Sequence, residues 1–188
     1  MKHWRVCELS KNSKGASTAQ IIDESEISKQ IKFKLHETRT PFAPGTFGGE
    51  EKVRLNLDLN LNEYDCDLLT GIDEWVIKAI AQRSIDFFKV TKTEEEIRNM
   101  YKRTVTQHNS NGKDFAPTVK TKINMSGPFA LRCWTEDKTK REYPEDWKLC
   151  RITPELFLKG LYFMPTMCGL ILEVHDALVS EELTECPF

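Results

Sequence analysis

The chain has 188 residues, of which 39% are apolar and 30% charged. That is enough apolar material for one packed core, and it excludes a wholly disordered chain. No apolar run reaches the ~18 residues that a membrane helix needs. The longest, residues 156–172, is interrupted by Lys159, Pro165 and Thr166. The opening MKHWRVCEL lacks the apolar segment and cleavage site of a secretory signal, so an intracellular chain with no membrane partner is expected. The formal charge of -2 is unevenly spread. Residues 173–188 hold five of the 29 acids and none of the 27 basic residues, which leaves the remainder at +3. A basic body with an acidic end points to a polyanionic partner. The six cysteines (7, 66, 133, 150, 168 and 186) are never closer than 17 positions. Such dispersion excludes a CxxC metal knuckle and reads as reduced structural thiols.

In chain order, residues 4–8 predict a short strand, residues 10–19 (SKNSKGASTA) a flexible loop, and residues 31–35 a second strand. In that second strand Ile31, Phe33 and Leu35 alternate with Lys32 and Lys34. The Gly/Pro-rich residues 40–51 (TPFAPGTFGGEE) form a loop, with Gly48 and Gly49 turning into the next strand. Over residues 52–61, Val53, Leu55, Leu57, Leu59 and Leu61 face one way and Arg54, Asn56, Asp58 and Asn60 the other. A long helix follows from Leu68, Ile72, Trp75, Val76, Ala79 and Ile80, continued by Phe87, with Asp67 placed to cap it. A short helix starts at the Thr93/Glu96 capping box.

Period two returns at Val119, Thr121, Ile123 and Met125, which alternate with Lys120, Lys122 and Asn124. A strand at residues 129–134 comes next, then a charged turn (135–141) and a loop (143–147). A final hairpin pairs residues 155–163 with 169–179. The fold class is mainly β with a helical insertion: an OB-fold-like five-stranded barrel with one long and one short helix. Residues 1–179 are expected to form one domain with the insertion at about 65–103, and residues 180–188 a flexible acidic tail.

An active site is not legible. His3, His36, His108 and His175 pair with no nucleophile or ligand set at a recognisable spacing. His175 beside Asp176 reads as a surface strand residue. No enzyme, metal or cofactor is expected. Three strands instead carry basic pairs opposite their apolar faces: Lys32/Lys34, Lys52/Arg54 and Lys120/Lys122. Phe42, Phe47, Phe115, Trp134, Tyr162 and Phe163 are the aromatics expected close by. Basic groups neutralise phosphates and aromatic faces stack unpaired bases, which together hold a single strand without reading its sequence. Tyr162 and Phe163 are adjacent in a strand, so one of the two rings faces outward, and Lys159 precedes them. The chain closes SEELTECPF, in which Glu181, Glu182, Glu185 and Phe188 suit docking on a basic partner with an apolar pocket.

The order of elements is distinctive. GGEEKVRLNLDL leads to LLTGIDEWVIKAIAQRSIDFF, PTVKTKINMSG, CWTEDKTKREY, LFLKGLYFMPTMCGLILEVHDALV and the acidic tail. It resembles the single-stranded DNA-binding proteins of phages and large algal DNA viruses, in which a helix interrupts an OB-fold barrel. The resemblance covers roughly residues 30–188. It implies non-catalytic, sequence-tolerant binding of single-stranded DNA in replication, recombination and repair, in a host nucleus or viral replication compartment. It implies DNA-contacting roles for Lys52, Arg54, Lys120, Lys122, Lys159, Tyr162 and Phe163. It also implies a tail (Glu181, Glu182, Glu185, Phe188) that contacts replication proteins, and it leaves a homodimer open. The alternative is a protein-interaction or virion-associated module without nucleic-acid affinity; a third reading is a single-stranded RNA binder.

Overall fold

The computed structural model describes residues 1–11, 15–46, 53–110 and 112–181. In chain order these give β1 (Trp4–Lys11), β2 (Ser17–Asp23), β3 (Ile31–Lys34), β4 (Thr38–Arg39) and β5 (Arg54–Asn60). The insertion supplies α1 (Glu63–Gln82), α2 (Ser84–Phe88) and α3 (Glu94–Met100). After it come β6 (Tyr101–Lys102), β7 (Val105–Ser110), β8 (Lys113–Asn124), β9 (Arg132–Trp134), β10 (Lys140–Arg141), β11 (Cys150–Phe163) and β12 (Cys168–Glu181). The structure is thus mainly β with a helical insertion. No described helix is long and apolar enough to cross a membrane. The chain divides into two compact units. Unit 1 comprises Met1–Lys32, Glu63–Thr106 and Phe157–Leu172; unit 2 comprises Phe33–Asn62, Gln107–Leu156 and the chain from Glu173 onward.

In unit 1, β1 and β2 form an antiparallel pair from Trp4↔Asp23 to Lys11↔Ser17. The sequence reads Ser17–Ala19 of this second strand as loop and assigns no element to the rest. Only Ala19 and Ile21 of β2 are buried, too few to give an alternation signal. The long helix begins at Glu63, so Asp67 lies inside it and does not cap it. Its buried stripe is Asp65, Leu69, Ile72, Asp73, Val76, Ile77 and Ile80, rotated from the predicted one, and the helix breaks at Arg83 so that Phe87 belongs to α2. Asp73 is only 1% exposed. It accepts hydrogen bonds from Tyr101 Oη (2.7 Å), Thr104 N (2.8 Å) and Thr104 Oγ1 (2.5 Å), which join α1 to the chain beyond α3. Burial holds its carboxyl above the ordinary aspartate range even so. The capping box of α3 forms as the sequence predicts: Thr93 Oγ1 accepts from Glu96 N at 3.2 Å, and Glu96 Oε2 accepts from Thr93 N at 2.7 Å.

One glycine governs β11. Its alternation of buried and less buried residues slips by one at Gly160, where φ is +148° and an added Cβ would lie 2.3 Å from the Ala19 carbonyl oxygen. Only glycine satisfies both demands. The slip brings Lys159 and Tyr162, three positions apart, onto the same less buried side.

In unit 2, β5 and β8 pair antiparallel without interruption from Arg54↔Asn124 to Asn60↔Thr118. Leu57, Leu59, Val119, Thr121 and Ile123 are buried on one face. Thr121 satisfies its hydroxyl there by donating to Leu57 O at 2.8 Å. β12 runs parallel to β8 at Glu173↔Lys122 and parallel to β9 from Asp176↔Arg132 to Leu178↔Trp134. All five described cysteines are free thiols, and burial raises Cys133 and Cys168 to about 11.

Two outcomes are expected. Gly160→Ala should cost roughly 2–4 kcal/mol in urea unfolding, through strain and overlap with β2; an unchanged midpoint would remove the argument for a close approach. In unit 1, Glu74 accepts from Arg98 at 2.6 Å and lies 2.8 Å from Arg103. The Arg98 hydrogen bond, then that of Arg103, lowers its carboxyl from 4.5 to about 2. The stabilisation is therefore present above pH 4.5 and lost as pH falls towards 2. Arg98→Ala should accordingly be less stable than the parent at pH 7, with the difference shrinking through that window.

Candidate nucleic-acid interface

The polar face of the β5–β8 pair brings together three of the basic groups that the sequence singles out, Arg54, Lys120 and Lys122. The strand register sets Asn56 opposite Lys122 and Asp58 opposite Lys120, with Arg54 one pleat beyond. Lys122 donates to Asn56 Oδ1. Its ammonium titrates below the ordinary lysine range, first because it is half-buried and then because Arg54 and Lys120 repel it. A cluster of cations held against its own repulsion is a ready receptor for an anion.

The face is not purely basic. Glu173 of β12, 1% exposed, accepts from Arg54 Nη2 at 2.5 Å and lies 3.3 Å from His175 Nε2. The Arg54 side chain remains 43% exposed, and one bond of a five-donor guanidinium does not exhaust it. His175 is therefore not the surface residue that its sequence context suggests; its side chain is 15% exposed and tied to Glu173. Over it lies a ring that the sequence did not single out. Phe129, 61% exposed, stands with its centroid 5.8 Å from the His175 ring at an interplanar angle of 30°. Phe129, His175, Glu173 and Arg54 thus form a contact chain from an exposed aromatic face to a guanidinium. Asp176 is also committed, accepting from Arg132 Nη2 at 2.5 Å and Trp134 Nε1 at 2.8 Å.

Unit 1 carries a separate aromatic–basic pair. Lys159 is exposed, and Tyr162 lies across Gly169, where an added Cβ would meet its Oη at 2.8 Å. Phe163 is corrected: it is 8% exposed, stacked on Phe87 (centroids 5.0 Å, 14°) and set edge-on to Phe88 (5.7 Å). It is a core ring and cannot serve as a stacking platform, because α2 covers it. Of the other aromatics, Phe42 and Phe115 are 62% and 48% exposed, and Lys113 Nζ sits 5.8 Å from the Phe115 centroid. Phe47, Gly48, Gly49 and Lys52 lie outside the described residues, as do Glu182, Glu185 and Phe188 of the tail; Glu181 ends β12. Among the described residues, no three His, Cys, Asp or Glu side chains are grouped to hold a metal ion.

No family model matches this chain, and no protein of curated function does. Solved structures are similar to it, among them two of one phage protein. One is the single-stranded DNA-binding protein from bacteriophage Enc34 in complex with ssDNA, 10% identical over 94% of this chain and 96% of that one, with a TM-score of 0.49. The other is a C-terminal truncation of the same phage protein, 11% identical over 93% and 95% of the two chains, with a TM-score of 0.51. The second likeness is one of fold, which is mainly β and OB-like with one long inserted helix.

Arg54→Ala would leave the buried Glu173 carboxylate without its cation. The expected cost is about 1–3 kcal/mol in urea unfolding at neutral pH, largely recovered by Arg54→Lys. Identical midpoints for all three proteins would show that the pair adds nothing to the face.

Proposed function

We propose that this chain is a non-catalytic, sequence-tolerant single-stranded DNA-binding protein acting in DNA replication, recombination or repair. The observation that carries the reading is the convergence of Arg54, Lys120 and Lys122 on one strand face, with Lys122 suppressed by burial and by its two cationic neighbours. A backbone phosphate placed there relieves the repulsion, and Phe129 beside it offers a ring for an unpaired base. Phosphate and ring contacts carry no base-edge information, so affinity follows strandedness and salt, with little dependence on sequence. Lys159 with Tyr162, and Lys52, are further contacts in this reading. The tail residues Glu181, Glu182, Glu185 and Phe188 are assigned to replication partners. An OB-like fold is compatible with this use, since such sheets commonly bind oligonucleotides.

A second reading has its own support. Tyr64, Ile85, Val90 and Met164 of unit 1 are all more than half exposed, and exposed apolar side chains are what a protein-interaction module would use.

Fluorescence anisotropy of labelled oligo-dT separates the two readings. The DNA reading expects saturable binding, competed by single-stranded DNA better than by duplex or RNA, and weakening with salt. Lys120→Glu combined with Lys122→Glu should lose at least ~10-fold in affinity, and the salt slope should flatten by about 1.4 for two phosphate contacts. Absence of saturable binding at low salt, together with a defined oligomer or protein partner, would favour the interaction module.

A further inference from the structure

We infer that the groove beside the connection between β8 and β9 is a second nucleotide subsite, taking the sugar-phosphate of the same DNA strand; this rests on the reading above. The groove has a volume of about 620 Å³, and Pro128, Arg132, Lys140, Arg141, Glu142 and Tyr143 are among its lining residues. That volume lies within the ~300–1,000 Å³ typical of small-molecule sites. The lining carries three cations and one carboxylate; Asp176 offsets Arg132, which leaves Lys140 and Arg141 against Glu142.

Several of these groups are held in place. Arg132 is fixed by Asp176 at 2.5 Å, which also takes the Trp134 indole N–H. Arg141 Nη1 donates to Val179 O at 3.3 Å. Tyr143, 36% exposed, donates its hydroxyl to Leu131 O at 2.9 Å, which anchors one edge of the ring and leaves ring surface for contact. Lys140 is exposed on β10. An anchored ring among oriented cations is a preformed receptor for one nucleotide, with less side-chain ordering to offset on binding.

The groove also adjoins the first site. Gly127, Pro128 and Ala130 line it, while Phe129, between them in sequence, lies tilted against His175 and through Glu173 reaches Arg54. The turn is stiffened by Ala130 N donating to Gly127 O (3.1 Å) and Leu131 N to Asn124 O (2.8 Å). A strand crossing Phe129 therefore leaves the Arg54–Lys122 face and meets Lys140 and Arg141 next. Phe129 is the step between two phosphate-binding areas, and the groove accounts for added affinity on oligonucleotides long enough to reach it.

The test compares the parent and Lys140→Glu on a short and a long oligo-dT, with urea midpoints confirming that both are folded. The expected result is unchanged affinity of the variant for the short oligonucleotide. On the long one it should lose about ten-fold, with a salt slope flatter by about 0.7 for one lost phosphate contact. Photo-crosslinking of the unmodified protein with a long oligonucleotide bearing 5-iodouracil should mark Tyr143 in the groove. Equal affinity of parent and variant on the long oligonucleotide, equal losses on both lengths, or crosslinks confined elsewhere would overturn the subsite while leaving single-strand binding in place. A parent that binds neither oligonucleotide would instead overturn the DNA reading itself, and the subsite with it.

Discussion

The antiparallel pairing of β5 with β8 is the constraint on which the functional face depends. Its unbroken register sends Leu57, Leu59, Val119 and Ile123 into the core of unit 2 and sets Arg54, Asn56, Lys120 and Lys122 together on the opposite face. Strand side chains alternate with a period of two, so a slip of one residue would bury the lysines and expose the leucines. The register is therefore fixed by the hydrophobic effect acting on one face, and the arrangement of charge on the other face follows from it. Thr121 is compatible with burial on this face because its hydroxyl donates to the Leu57 carbonyl across the pair.

The polar face is organised by balance more than by positive charge alone. Glu173 sits buried among the cations and fixes Arg54, and Asp58 stands opposite Lys120. Without these acids, three cations on neighbouring positions would repel one another and splay. With them, the positive groups are held in position; Lys122 titrates low first because it is half-buried, and then because Arg54 and Lys120 still repel it. Such a face can exchange an internal arrangement of charge for an external phosphate without rearranging its backbone, a form of preorganisation that lowers the cost of binding.

Much of this was legible in the sequence, because local rules dominate where an element is strongly patterned. The strand at Arg54, the Lys120/Lys122 alternation, the helical insertion and the Thr93/Glu96 cap all follow from spacing alone. What escaped depends on distant partners or on one atypical residue. Arg54 and Glu173 are 119 positions apart, and nothing local to either announces their bond. The β1–β2 pairing was hidden because β2 buries only Ala19 and Ile21. Alternation showed that one ring of Tyr162 and Phe163 points outward, but not which one. The slip at Gly160 settles it by turning Lys159 and Tyr162 to one side and Phe163 into the core. Phe129 reads as the first residue of a strand over 129–134, whereas β9 begins only at Arg132 and Phe129 lies in the turn before it. Its position over His175 emerges only in three dimensions.

The most direct test of the central claim is an NMR titration of the isotope-labelled protein with oligo-dT, following backbone amide shifts residue by residue. The account predicts that the largest changes fall on Arg54, Lys120, Lys122 and the turn bearing Phe129, while the α1 amides around Asp73 stay still. Shifts confined to the helical insertion, with Lys120 and Lys122 unmoved at saturation, would contradict it.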